Sequence, residues 1–366
     1  MPDNLTGNTP SSSSSSTAAD LKQLAEHCRT YKGSVMSRSF IQLGNTLGLF
    51  LPIVGVMLYA WMHQIYWLYA LLILPAGGLV IRLFIIQHDC GHGSFFKSRL
   101  ANDMTGRFTS IFTFIPYDIW KLGHNIHHAG SGHLGRRGIG DVNTLTVKEF
   151  EALSPMRKLY YRAYRHPLTL LVFGPPIYIL LLLRLPPIPF APQKENFNPM
   201  PAMRGLKSIM GLNIALAAFY GAACYLFGWQ AVLAVYLPII VTAFGFGQWL
   251  FYMQHQYEDT YWKGEGQWAY NEAAVLGSSH YDLPKVLHWF TGNIGFHHIH
   301  HLCPGIPNYR LEECHHAGKE MLTGVTRLTI RESLKSIHLA LWDEERFKLI
   351  SFREWRKNHA AAATSA

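Results

Sequence analysis

Histidine stands out in this chain by number and by placement: there are 20 in 366 residues, and many are bunched. Three groups have helical spacing. His88 and His92 lie at i and i+4 within His88-Asp89-Cys90-Gly91-His92. His124, His127 and His128 form an i, i+3, i+4 set, and His297, His300 and His301 form another. Such positions share one face of a helix, so each group can offer its imidazoles to a common ion. In the third group His298 points off that face and is not expected to be a ligand. Two, three and three make eight nitrogen ligands, too many for one ion and suited to two.

Ligand type narrows the chemistry. Imidazole suits zinc, copper, iron and nickel. The zinc-protease pattern H-E-x-x-H is absent, because Asn125 follows His124. A structural zinc site takes four ligands, usually with cysteines among them. The five cysteines here contain no C-x-x-C pair and are too few for a disulfide scaffold. Two ions in a nitrogen-rich shell with open positions, beside apolar segments, point to oxygen activation by iron. A single histidine is most simply a satisfied polar group. Three separated groups are not explained that way, nor as a contiguous metal-storage tract.

The elements that must position these groups are apolar. The chain is 49% hydrophobic and only 15% charged, against about 25% charged in soluble domains. That excludes a disordered regulator and argues against a soluble enzyme. The net charge of +9 forms no helical stripe with interleaved aromatics, so no nucleic-acid partner is expected.

From Phe40 to Met62 there is no charged residue, and from Ile65 to Ile86 only Arg82, which is expected to snorkel to the interface. From Ser208 to Tyr257 there is again no Lys, Arg, Asp or Glu. About 20 apolar residues cross a bilayer, so spans are expected over about 40–62, 65–86, 208–228 and 230–254. They form two hairpins, with turns near His63 and at Gly228-Trp229-Gln230. A fifth run, Leu168–Leu183, covers only ~24 Å as a helix and is broken by Gly174-Pro175-Pro176. A crossing there would carry Lys194, Arg204 and Lys207 outside, against the positive-inside rule. It is therefore expected to be interfacial or re-entrant, and Phe108–Ile115 to lie at the surface.

The expected fold is all-α. It is an integral membrane protein of four spans, with interfacial helices and a cytoplasmic cap rich in histidine. Residues 1–20, with the run Ser11–Ser16, read as a disordered tail and not a signal peptide. Residues 21–345 form the membrane domain, and 346–366 a C-terminal tail. An even number of crossings puts all three histidine groups on the cytoplasmic face. His255, in Gln254-His255-Gln256-Tyr257-Glu258, emerges beside them and is a functional candidate.

Together, H-x-x-x-H (His88, His92), H-x-x-H-H (His124, His127, His128) and H-x-x-H-H (His297, His300, His301) resemble the three boxes of the integral-membrane fatty acid desaturases. The resemblance covers about residues 35–320. With Gln254 through Trp262 and Pro307-Asn308-Tyr309 it looks most like the Δ12/ω-6 acyl-lipid branch. It implies two non-haem iron ions, dioxygen as co-substrate, an acyl-lipid or acyl-thioester substrate, and His255 as ninth ligand with His280 in reserve. No fused cytochrome b5 domain is read in the chain, so a separate ferredoxin or cytochrome b5 is the expected electron donor.

On that reading Asp89, Asp141, Asp282 and Asn293 are candidates for accepting the second ring N–H of a ligand. Phe84, Phe112 and Trp249 are candidates for lining an acyl tunnel. A membrane hydroxylase or carotenoid ketolase is the alternative on the same scaffold. A haem cytochrome is disfavoured because the groups lie outside the uncharged runs, and a metal transporter because the spans carry almost no polar ligands.

Overall fold

The computed structural model describes residues 18–185 and 202–364. Most of the expected N-terminal tail, 1–17, lies outside the described residues; residues 18–20 already belong to α1 (Ala18–Arg29), which buries Leu21, Leu24 and Cys28.

Helices α2 (Met36–Met62) and α3 (Tyr66–His92) form the first hairpin. Each has 27 residues, about 40 Å of helix against a hydrocarbon core of about 30 Å. Pro52 and Pro75 sit inside them, as membrane helices tolerate. α3 does not stop near residue 86. It runs unbroken to His92 and ends on Gly93 at φ 69°, the left-handed stop that glycine adopts without strain. The first box is therefore the last turns of a span.

Arg82 does not snorkel. It is buried, its Nε donates to Thr46 Oγ1 at 3.2 Å, and its Nη1 donates to the Trp289 carbonyl. The guanidinium also lies 4.2 Å from the Trp289 ring centroid. A carbonyl, a hydroxyl and an aromatic face hold the charge inside the fold, where the sequence alone pointed it at the lipid surface.

Helix α4 (Arg99–Thr113) follows, then α5 (Tyr117–Gly130). In the run expected at the surface, Phe108 is exposed while Phe112 and Ile115 are buried. Strand β1 (Leu145–Thr146) leads into α6 (Val147–Glu151), which opens with a capping box of Thr146 and Glu149. Next come α7 (Pro155–Tyr164), a π turn at Thr169–Phe173 and α8 (Gly174–Leu180). The chain bends by 59° between α7 and the segment Thr169–Arg184. The bend falls at the start of the fifth apolar run, and such a bent pair is either a broken span or a re-entrant loop.

Helices α9 (Ala202–Phe227) and α10 (Trp229–His255) make the second hairpin, turning at Gly228. Among the described residues four helices are long and apolar enough to cross a membrane, or five if the bent pair is counted as one span. α3 and α10 approach closely: a Cβ on Gly77 would lie 2.7 Å from Thr242 Cγ2, so glycine sets that contact. Between the spans, Phe50, Leu79, Leu83, Val235 and Ile239 form an apolar core. Both hairpins place their histidine-bearing ends together, since His92 closes α3 and His255 closes α10.

The cap contains α11 (Tyr270–Leu276), β2 (His280–Asp282), α12 (Lys285–Phe290), α13 (His297–Leu302), α14 (Leu311–Ala317), β3 (Arg327–Thr329) and α15 (Ile330–Ser336). It ends with β4 (Leu339–Asp343), β5 (Lys348–Ser351) and α16 (Phe352–Thr364). β2 pairs parallel with β3; β4 pairs parallel with β1 and antiparallel with β5. The fold is all-α with these two small sheets added.

The domain does not end at residue 345. β5 completes the second sheet, and Leu349 and Ile350 are buried in it. Phe352 and Trp355 pack on Phe150, with ring centroids at 5.4 and 5.2 Å. The polar text of 346–366 reads as a tail because its few apolar residues find their partners only across the fold.

Candidate metal centre

Four helices carry nine histidines to one place: α3 (His88, His92), α5 (His124, His127, His128), α10 (His255) and α13 (His297, His300, His301). All are buried except the half-buried His92. They divide into two groups. One ligand atom from each of His88, His92, His124, His128 and His300 lies within 4.8 Å of the others, and the same holds for His127, His255 and His301. His297 joins the second group, its Nε2 being 3.0 Å from His255 Nε2. The other nitrogen contacts are as short: His127 to His255 at 3.1 Å, His124 to His128 at 3.1 Å, and His300 to His128 at 3.0 Å, all through Nε2.

The rings are oriented from behind. Asp89 Oδ1 lies 3.1 Å from His88 Nδ1. Asp89 Oδ2 accepts from the Asn308 backbone N–H at 2.6 Å and from its Nδ2 at 2.8 Å. Asn308 Oδ1 in turn accepts from Gln42 Nε2 at 2.9 Å. The Gly277 carbonyl stands 2.9 Å from His255 Nδ1. A carbonyl can only accept, so that nitrogen carries the proton and Nε2 of His255 is a bare lone pair facing its neighbours.

This donor set fits metal. A neutral imidazole has one N–H and one lone pair, and buried lone pairs facing each other are costly without a cation between them. Nε2 of both His92 and His301 is buried with no hydrogen-bond partner. Burial first, then the neighbouring imidazoles, push His124, His127, His128, His297, His300 and His301 well below the ordinary histidine range. The rings are neutral, as ligands must be.

Of the four candidates for orienting a ring, Asp89 reaches one of the clustered histidines, His88. Asp141 instead accepts from the Gly138 N–H at 2.9 Å, and Asp282 pairs with Arg327. Asn293 occupies a left-handed turn at φ 57°. His280 stays apart: its ring stacks on Phe296 at 4.8 Å and lies 4.6 Å from His315. As expected, His298 turns away, its Nε2 meeting His315 Nδ1 at 3.0 Å.

Phe84 stands beside the centre through Trp120, at 5.1 Å between centroids, while Phe112 packs in the span core against Phe50. Trp249 Nε1 donates to Tyr281 OH at 3.0 Å. Sequence reasoning passed over Trp120, which stacks on His124 at 4.6 Å and 15°, and Phe251, 5.5 Å from His255. Each lies one helical turn before its histidine, and that spacing is the signal that could have found them.

Residues 21–331 match the fatty acid desaturase family model. The chain is 42% identical over 335 residues to a protein named fatty acid desaturase from Bacillus subtilis (strain 168), covering 91% of each. It is 28% identical to the acyl-lipid omega-3 desaturase (cytochrome b5) of Arabidopsis thaliana, over 86% of this chain and 79% of that one. It is also 28% identical to the sn-1 acyl-lipid omega-3 desaturase (ferredoxin) of Synechocystis sp., over 71% of this chain and 68% of that one. A family match over most of the length, centred on buried histidines at the ends of apolar helices, leaves one assignment: this chain belongs to the fatty acid desaturase family and is an oxidoreductase.

Proposed function

We propose that the protein desaturates a fatty acyl chain of a membrane lipid with dioxygen, using two iron ions held by its nine clustered histidines. The convergence of imidazoles from four helices carries this reading. His88, His92, His124, His128 and His300 would hold one ion, and His127, His255, His297 and His301 the other. Bound there, iron supplies the redox chemistry of oxygen. The net reaction removes one hydrogen from each of two adjacent methylenes, with one dioxygen, two electrons and two protons giving two waters.

The chain itself positions and dries the site. Asp89, backed by Asn308 and Gln42, fixes His88, and the Gly277 carbonyl fixes His255. Trp120 and Phe251 cover His124 and His255 with apolar rings, which limits access of bulk water. The turns at the far ends of both hairpins, around Gln64 and Gly228, carry no Lys or Arg. The positive-inside rule then puts the centre on the cytoplasmic face, where a ferredoxin or a cytochrome b5-type donor delivers electrons. The relatives named for one or the other donor support that class of partner. The Δ12/ω-6 position rests on the box text alone.

The test is the fatty-acid profile of a desaturase-free host expressing the wild type beside His124→Ala. New unsaturation in the first and none in the second is expected, with the double bond at Δ12. An oxygenated product would overturn desaturation in favour of a hydroxylase. A double bond elsewhere would overturn only the position.

A further inference from the structure

A cavity of about 850 Å³ opens between α4, α5 and the first turns of α9. It backs onto the metal centre without including it. Asp118, Lys121, Leu122 and Asn125 of α5 line it, while His124, His127 and His128 of the same helix do not.

One part of its wall is cationic. Lys121 pairs with Asp103 at 2.9 Å, and Arg107 grips Asp118 through two nitrogens at 2.9 and 3.1 Å. That uses both carboxylates lining the cavity. Arg99, Arg204 and Lys207 remain on the wall with no carboxylate partner among the described residues. Arg204 and Lys207 stand at the start of α9, the end of that span on the side of the histidine centre.

The rest is apolar. Gly211, Leu212 and Ala215 continue the wall along α9, and the rise from Arg204 to Ala215 is about 16 Å. The cavity therefore begins among cations that no described carboxylate neutralises, at the membrane boundary, and runs into the hydrocarbon layer. A phospholipid has that order of groups: a phosphodiester at the boundary and an acyl chain beneath it.

We propose that this cavity is a phospholipid site, with the phosphodiester against Arg99, Arg204 and Lys207 and the upper acyl chain along Leu212 and Ala215. Arg and Lys bind phosphate oxygens through charge-assisted hydrogen bonds. A soluble phosphate satisfies the cations but leaves the apolar wall bare, whereas an uncharged glycolipid does the reverse. The site requires the membrane placement of α9 and neither iron nor turnover, so it stands or falls separately from the desaturase reading.

The test uses the full chain in detergent without added iron, with bound lipid counted by native mass spectrometry. Phosphatidylglycerol is compared with a galactosyl diacylglycerol of the same chains, with inorganic phosphate and coenzyme A as competitors. Phosphatidylglycerol is expected to bind at least about tenfold more tightly than the galactolipid. The double variant Arg204→Gln/Lys207→Gln, at two exposed positions, is expected to weaken it roughly ten- to thirty-fold. Arg331→Gln/Lys335→Gln removes the same charge elsewhere and is expected to leave binding unchanged. Equal binding of the galactolipid, an unaltered Arg204/Lys207 double variant, or displacement by phosphate or coenzyme A at phospholipid-like concentrations would each overturn the proposal.

Discussion

Two sets of histidines share helix α13 and have opposite fates. His297, His300 and His301 join six rings from other helices, with nitrogens facing nitrogens and no proton donors enough to go round. His298, on the next face, meets His315 through one 3.0 Å contact and has His280 beside it at 5.7 Å between centroids. Phe296 there is sandwiched between His280 and His288, at 4.8 and 5.1 Å. The second set is held by one nitrogen pair, by the Leu283 N–H donating to His288 Nε2 at 3.3 Å and by stacking, and among the described residues none of its rings joins a group whose nitrogens face one ion. Abundance of histidine is thus no sign of a metal site; convergence of unshared lone pairs is.

Replacing a ring in the convergent set should have the largest effect. His300→Ala is expected to abolish desaturation and to lower bound iron, read by elemental analysis of the purified protein. Full iron and full activity in that variant would erase the contrast between the sets. Next comes Asp89→Asn, which keeps the shape and changes what faces His88 Nδ1. Loss of a partner behind a metal-binding histidine costs about 10–100-fold in metal affinity, measurable by competition with a chelator.

His298→Ala tests the other set. It should keep both irons and an activity within about twofold of wild type, while losing about 1–3 kcal/mol of stability through the orphaned His315. Iron loss in His298→Ala would mean the two sets act as one. The smallest effect on the centre is expected from Leu349→Ala in β5. A buried leucine truncated to alanine costs about 2–5 kcal/mol, seen as a lower melting temperature with the iron content per folded chain unchanged.

Much of the scaffold was legible because its signals are local. Apolar runs with at most one charge marked the four long helices to within six residues at each end, and the i, i+3, i+4 spacings marked the box faces. The turn at Gly228 was legible for the same reason. Arg82 was misread because its partners, Thr46 and Trp289, come from segments distant in sequence. The ending at residue 345 was misplaced because strands of two to five residues, such as β1 and β4, are too short to show a period. His280 stood in reserve as ninth ligand, and the sequence had no way to show that Phe296 and His315 lie against its ring.

By itself the sequence determined the apolar length of each span, the faces of the three boxes and the family they spell. Those properties follow from residue type and helical repeat alone. Only the tertiary structure decided that the clustered rings divide as five and four, splitting His127 from His128 and His300 from His301 between the two groups. Neighbouring rings on one helix diverge, and which opposing helix each one meets is set by how α3, α5, α10 and α13 pack.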